Sequence, residues 1–142
     1  MRHVIHCIIQ KGDKFLLKQS KFRDELDIIK FEKDPDVYQE GQLLRNLWSS
    51  IKLYEKSFNF ILIGKRLSYD VQNMEPILLF EYYIYDINDD INLEENTDYK
   101  LVSPTYMYFL KSKSKLSDTA FHSIIPIYQA FDTFLSSWES IH

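Results

Sequence analysis

The sequence predicts a single α/β domain, residues 1–142, in which a sheet is flanked by a central amphipathic helix and a C-terminal one. Two observations predict this class. Runs rich in β-branched and aromatic residues recur along the chain and are typical of strands. Two other stretches carry apolar residues at the spacing i, i+3, i+4, i+7, which is typical of helices with one buried face.

The first element is predicted to be a hairpin. Val4–Ile9 and Lys14–Lys18 are extended, and Gly12 and Asp13 between them tolerate the positive φ of a tight turn. A charged connection, 21–27, then leads to a short strand at Ile28–Phe31.

The first strand contains three chemically reactive side chains. His3 and His6 are expected to share one face of it, as a partly buried edge rather than a metal site. Cys7 is the only cysteine, so an intramolecular disulfide is excluded, and we expect it to be a small buried hydrophobe.

A helix is predicted from about Tyr38 to Tyr54. Its apolar stripe, expected to face the core, consists of Leu44, Leu47, Trp48 and Ile51. At 100° per residue the opposite, polar face gathers Gln42, Arg45, Asn46 and Ser49.

Two long strands are predicted next, Ser57–Leu67 and Ile77–Ile87, joined by a polar connection. The second is nearly continuous in apolar and aromatic residues, as in a central strand covered on both faces. A short strand at Tyr99–Val102 precedes a helix that begins at Ser103-Pro104, with serine as N-cap.

A long amphipathic helix is expected to close the chain after Ser117-Asp118. Pro126 inside it is expected to kink or break it, because proline lacks the N–H donor and clashes with the preceding turn.

The segment Leu26–Leu53 resembles the Nudix box, the loop-helix-loop signature G-x5-E-x7-R-E-U-x-E-E-x-G-U (U aliphatic), with Arg45 at its arginine. IIQKGDKFLLKQS and DYKLVSPTYMYFL resemble the family's opening hairpin and its late strand with a Ser-Pro helix. Together these similarities cover nearly the whole chain and imply a Nudix-like α/β/α sandwich with a mixed central sheet. A longin or profilin-like α/β domain is the alternative fold.

The residues that hold metal in Nudix enzymes are replaced. Asn46, Ser49 and Ser50 stand where the three helix glutamates belong, and Val37 replaces the upstream one; the glycine positions hold Phe31 and Lys52. In the family those glutamates coordinate Mg²⁺ or Mn²⁺, which needs several carboxylate oxygens in one place. The resemblance therefore implies a Nudix-like fold with a degenerate box, no catalytic residues, no metal and no cofactor.

The favoured functional hypothesis is a catalytically inactive binding module for a nucleotide-type ligand or a partner protein. Its ligand-binding residues are predicted to be Gln42, Arg45, Asn46 and Ser49. The alternative is a Nudix-type hydrolase of a nucleoside diphosphate derivative that uses displaced carboxylates from the set Glu32, Asp34, Asp36, Glu40 and Glu55. Those acids also fit a solvated loop and a helix N-terminus, and Glu32, Asp34 or Asp36 is an expected partner of Arg45.

A third hypothesis is a protein-interaction subunit, with a possible homodimer through the apolar C-terminal residues Phe131, Phe134, Leu135, Trp138 and Ile141. A net charge of −4 gives no reason to expect nucleic acid. No apolar run approaches the length of a membrane span, and a cytoplasmic location is expected.

Overall fold

The computed structural model describes residues 1–89, 91 and 98–141, the last eleven as backbone only. Within them the chain forms seven strands, three α-helices and one 3-10 turn at Glu55–Ser57. The strands and helices are β1 (Arg2–Lys11), β2 (Lys14–Gln19), β3 (Leu26–Asp27), β4 (Ile29–Lys33), α1 (Gln39–Ile51), β5 (Asn59–Asp70), β6 (Glu75–Tyr85), β7 (Tyr99–Val102), α2 (Pro104–Ser112) and α3 (Asp118–Ile141).

Strand β1 organises the sheet. It pairs in parallel with β6 and antiparallel with β4, and β5 continues the sheet beyond β6. The end of β1 turns into β2, which also pairs with β3 and β7. The combination of one parallel pair with antiparallel neighbours confirms the predicted mixed sheet.

Helices cover both faces of this sheet, because successive side chains of β1 point to opposite sides. Ile5, Cys7 and Ile9 pack in one apolar cluster with α1, whereas Ile8 belongs to a second cluster with α2 and α3. This is the predicted α/β/α sandwich. Cys7 is fully buried, as expected, and burial raises the pKa of its thiol.

The prediction that His3 and His6 share a face is wrong. Residues three apart in a strand point to opposite sides. The His3 ring lies 5.8 Å from that of Phe80, on the α1 side of the sheet. His6 is paired with Glu81 and Lys30 on the α3 side, where it is only 8% exposed.

The buried stripe of α1 is rotated from the predicted one. Leu43, Leu47 and Ile51 are buried in the core, but Leu44 is half-buried and Trp48 is 51% exposed. Spacing alone left both stripes possible, since they share Leu47 and Ile51. The side of α1 that carries Leu43 packs on the sheet. The Trp48 ring instead contacts the Tyr54 ring, with 6.4 Å between the ring centroids.

Helix α1 ends earlier than predicted because Lys52 leaves the helical conformation, with φ 58° and ψ 34°. Left-handed geometry at this position favours glycine, the residue that the Nudix signature places there. Lys52→Gly is therefore expected to raise the free energy of unfolding by about 0.5–1 kcal/mol, since removing Cβ strain outweighs the extra freedom of the unfolded chain. Urea unfolding measures this.

Lys113 supplies the matched control. It caps α2 at φ −96°, where glycine gives no relief of strain. Lys113→Gly should leave stability unchanged or lower it, and an equal gain in both variants would contradict the conformational explanation.

Three further boundaries differ from the predictions. The charged connection contains a short strand, β3, that pairs with β2. β5 and β6 extend towards one another and leave a turn at 71–74. The break considered at Pro126 is absent, since α3 continues to Ile141.

The side chains of the predicted C-terminal patch, Phe131, Phe134, Leu135, Trp138 and Ile141, lie outside the described residues. In the part of the chain that is described, no helix combines the length and the apolar character needed to cross a membrane.

Candidate functional site

The four residues predicted to bind a ligand lie along one side of α1. Gln42 and Asn46 are half-buried, and the Gln42 Nε2 donates a hydrogen bond to Asn46 Oδ1 at 3.2 Å. The Ser49 hydroxyl donates to the Asn46 backbone oxygen at 3.3 Å. Arg45 is exposed beside them. The structure thus brings the two amides together and leaves the guanidinium facing solvent.

Ser50, the third position of the glutamate set, points differently. It is half-buried and hydrogen-bonds Tyr99 of β7. Burial, followed by the charge of Asp98, raises the pKa of the Tyr99 hydroxyl despite that hydrogen bond. The hydroxyl of Tyr99 therefore stays protonated and available as a donor at neutral pH.

The donor set on α1 does not fit Mg²⁺ or Mn²⁺. It offers amide oxygens already hydrogen-bonded to one another, hydroxyls and a cation, whereas these ions require carboxylate oxygens. Among the described residues, no three His, Cys, Asp or Glu side chains are grouped so as to hold a metal ion.

Two of the carboxylates considered as a displaced metal site, Glu32 and Asp34, have other partners. Glu32 forms an ion pair with Arg2 at 3.0 Å. Asp34 Oδ1 accepts the Asp36 backbone N–H at 3.0 Å, which stabilises the loop before α1. In the described part of the chain none of them pairs with Arg45, so the predicted ion partner of Arg45 is not found there.

Arg45 instead borders a shallow cavity of about 340 Å³, lined by Leu44, Arg45, Trp48, Tyr54 and Glu55. The Trp48 and Tyr54 rings meet edge to face, and the Lys52 Nζ lies 5.6 Å from the Trp48 ring centroid. Half-exposed aromatic rings beside a guanidinium suit a ligand that has both a flat apolar part and a negative charge.

Sequence reasoning missed two cavities on the other face of the sheet, at the start of α3. One, about 420 Å³, is bordered by the ion pair of Lys30 with Asp27, 2.8 Å apart. The other, about 440 Å³, contains Arg66 paired with Glu81, which is only 7% exposed. The signal was present: Glu81 interrupts an otherwise apolar strand, and a buried carboxylate requires a partner.

His6 lies next to Glu81 across the β1–β6 pair and is almost fully buried, with no hydrogen-bond partner for its Nδ1 among the described residues. Burial, reinforced by the charge of Lys30, lowers the pKa of His6 to about 3. His6 is therefore neutral at physiological pH.

Comparison with known proteins identifies this fold. No protein-family model matches the sequence, and no curated protein matches it either. Solved structures do match: a Nudix hydrolase from Nitrosomonas europaea has TM-score 0.59 at 15% identity, over 91% of this chain and 88% of that one. The chain therefore has a Nudix-like fold, and the longin or profilin-like alternative is wrong.

Two further structures agree. The E. coli ORF135 protein superposes with TM-score 0.63 at 18% identity, over 96% of this chain and 92% of that one. The C. elegans Ap4A hydrolase has TM-score 0.59 at 13% identity, over 95% and 98%. Identities this low establish the fold alone.

Proposed function

We propose that this chain is a Nudix-fold binding module for a nucleotide-type ligand and does not carry out metal-dependent hydrolysis. One observation supports this above the others: the polar side of α1 carries the Gln42–Asn46 amide pair, a hydroxyl and an arginine. With neutral groups in place of carboxylates, most of the electrostatic attraction for a divalent cation is lost.

The proposed ligand follows from the chemistry around Arg45. A guanidinium recognises phosphate through paired N–H donors, and the rings of Trp48 and Tyr54 next to it provide apolar surface for a base. One protein with a similar fold is named as a hydrolase of Ap4A. This name supports a nucleotide as the class of ligand, but the proposal does not extend to the hydrolysis of that ligand by this chain.

A thermal-shift panel of nucleotides and ADP-ribose, with and without Mg²⁺ and Mn²⁺, tests the proposal. A ligand that binds only the folded state raises the melting temperature when it is well above its Kd. We expect at least one nucleotide to do so without metal. Arg45→Ala should weaken its binding by about tenfold or more, because a charge-assisted contact is lost.

Arg23→Ala is the matched control. Arg23 is exposed and borders the 420 Å³ cavity on the face of the sheet opposite α1. Loss of binding in Arg23→Ala but not in Arg45→Ala would contradict the α1 site. Manganese-dependent turnover of the nucleotide, abolished by Glu40→Gln, would instead support the hydrolase alternative.

A partner protein is the second candidate ligand. Trp48 and Tyr54 are 51% and 47% exposed on one side of α1, and large exposed rings are frequent where proteins meet. If no nucleotide shifts the melting temperature, this surface is the one to alter in a search for a partner.

A further inference from the structure

A cluster of positive groups lies on the α1 side of the sheet. Its centre is Phe80 of β6, whose ring is almost fully buried. The Nζ atoms of Lys33 and Lys65 lie 5.7 Å and 5.5 Å from the centroid of that ring. The His3 ring is 5.8 Å away. Three strands therefore direct cationic or basic side chains to one aromatic ring.

Lys33 is unusual because it is only 6% exposed and has no carboxylate partner among the described residues. Its Nζ donates to the Asp34 backbone oxygen at 3.0 Å and lies 3.5 Å from His3 Nδ1. Lysine is almost never this buried unless it is paired. A carbonyl, an imidazole and a ring face leave its positive charge uncompensated.

Lys65 adds a second positive charge near the Phe80 ring. It is exposed on β5, directly opposite Phe80 in the strand pairing, and forms no ion pair with the described residues. Two ammonium groups near one ring repel each other, and an acidic chain of net charge −4 offers many carboxylates that are not used here. Glu32, Asp70 and Glu75 are paired with Arg2 instead.

His3 completes the set. If Lys33 donates to its Nδ1, the imidazole proton is on Nε2, which can donate to an incoming acceptor. Partial desolvation, followed by the charges of Lys33, the N-terminal ammonium and Lys65, lowers the pKa of His3. The positive charges of Lys33 and Lys65 therefore act on the His3 imidazole and favour its neutral form.

From this geometry we infer that His3, Lys33 and Lys65 form an anion-binding site for a phosphate or diphosphate group, separate from the α1 surface. Lysine ammonium groups act as compact point charges and are common ligands of phosphate in proteins. Two ammonium groups also balance the double charge of a phosphate ester. The bound anion removes the repulsion between Lys33 and Lys65.

Isothermal titration with inorganic pyrophosphate, at constant ionic strength, tests the inference. We expect saturable one-to-one binding that Lys65→Ala weakens by about tenfold or more, since one charge-assisted contact is lost. Lys14→Ala is the matched control because Lys14 is equally exposed, on β2 at the far end of β1. The control should bind like the unaltered chain.

Two additional measurements make the result decisive. The imidazole resonances of His3 should shift on addition of pyrophosphate, while those of exposed His122 should not. Lys33→Met keeps the length of a buried side chain without its charge, and it should abolish binding with the fold intact by circular dichroism. No saturable binding, equal weakening in Lys65→Ala and Lys14→Ala, or an unmoved His3 would each overturn the inference.

Titration with ADP separates the sources of the anion. Tighter binding of ADP than of pyrophosphate, lost in Lys65→Ala but kept in Lys14→Ala, supports a nucleotide at this site. Equal binding of both supports the free anion. Because Arg45 and Lys65 are altered separately, failure here is distinguishable from failure of the α1 proposal.

Discussion

The free energy of unfolding is expected to fall by as much as about 1.4 kcal/mol for each pH unit below pH 6.5, down to about pH 3, because His6 stays neutral in the folded chain. In the unfolded chain His6 takes up a proton near its ordinary pKa of 6.5, whereas in the folded chain burial delays this until about 3. Between these values the unfolded state holds more protons. Stability therefore rises with pH and is fully present above 6.5.

His6→Leu isolates this contribution. It substitutes an apolar side chain of similar volume in a strand covered on both faces. Urea unfolding at about pH 6.5 and about pH 4.5 should show a wild-type loss about 2–3 kcal/mol greater than that of the variant. His122→Gln is the control, since His122 is exposed, and it should follow the wild type.

Other titratable groups also lower the free energy of unfolding in acid. The comparison between the wild type and His6→Leu removes their contribution, because both proteins contain them. Burial by itself would raise the pKa of Asp70, but hydrogen bonds from Asn73 and Arg2 overcome it and lower the pKa. Protonation of Asp70 therefore removes stability as pH falls, in the wild type and in both variants. If His6→Leu retained the full wild-type slope, the assignment to His6 would be wrong.

Leu43→Ala is expected to lower the free energy of unfolding by about 2–5 kcal/mol, the range found for a leucine removed from a packed core. Leu43 is 0% exposed and lies in the cluster that joins α1 to the sheet. The adjacent Leu44→Ala removes the same atoms from a half-buried position and should cost about 1 kcal/mol or less. Urea unfolding of the two variants measures the difference.

This pair tests the rotation of α1 directly. The sequence stripe placed Leu44 and Trp48 in the core, whereas the structure buries Leu43. If Leu44→Ala lowered the free energy of unfolding more than Leu43→Ala, the orientation of α1 predicted from spacing alone would be the correct one. Trp48→Ala adds a second check, since a ring 51% exposed should contribute far less than a buried one.

The sequence by itself determined the fold class and the order of the helices and strands other than β3. Val4–Ile9 and most of Ile77–Ile87 were predicted correctly as strands, because β-branched and aromatic runs are local signals; β6 ends at Tyr85. Ser103 was identified as an N-cap, and its hydroxyl accepts the Tyr106 backbone N–H at 3.2 Å. Such signals depend on neighbours in the chain, so no long-range information is needed to detect them.

The tertiary structure alone decided the rotation of α1 and the composition of the sites. Gln42, Arg45, Asn46 and Ser49 could be assigned to one side of a helix from spacing, but not the bond between the two amides. His3, Lys33 and Lys65 come from three strands separated by up to 62 residues. They meet at Phe80 only because β1 pairs with both β4 and β6 and β5 pairs with β6, and pairing between distant strands leaves no local pattern in the sequence.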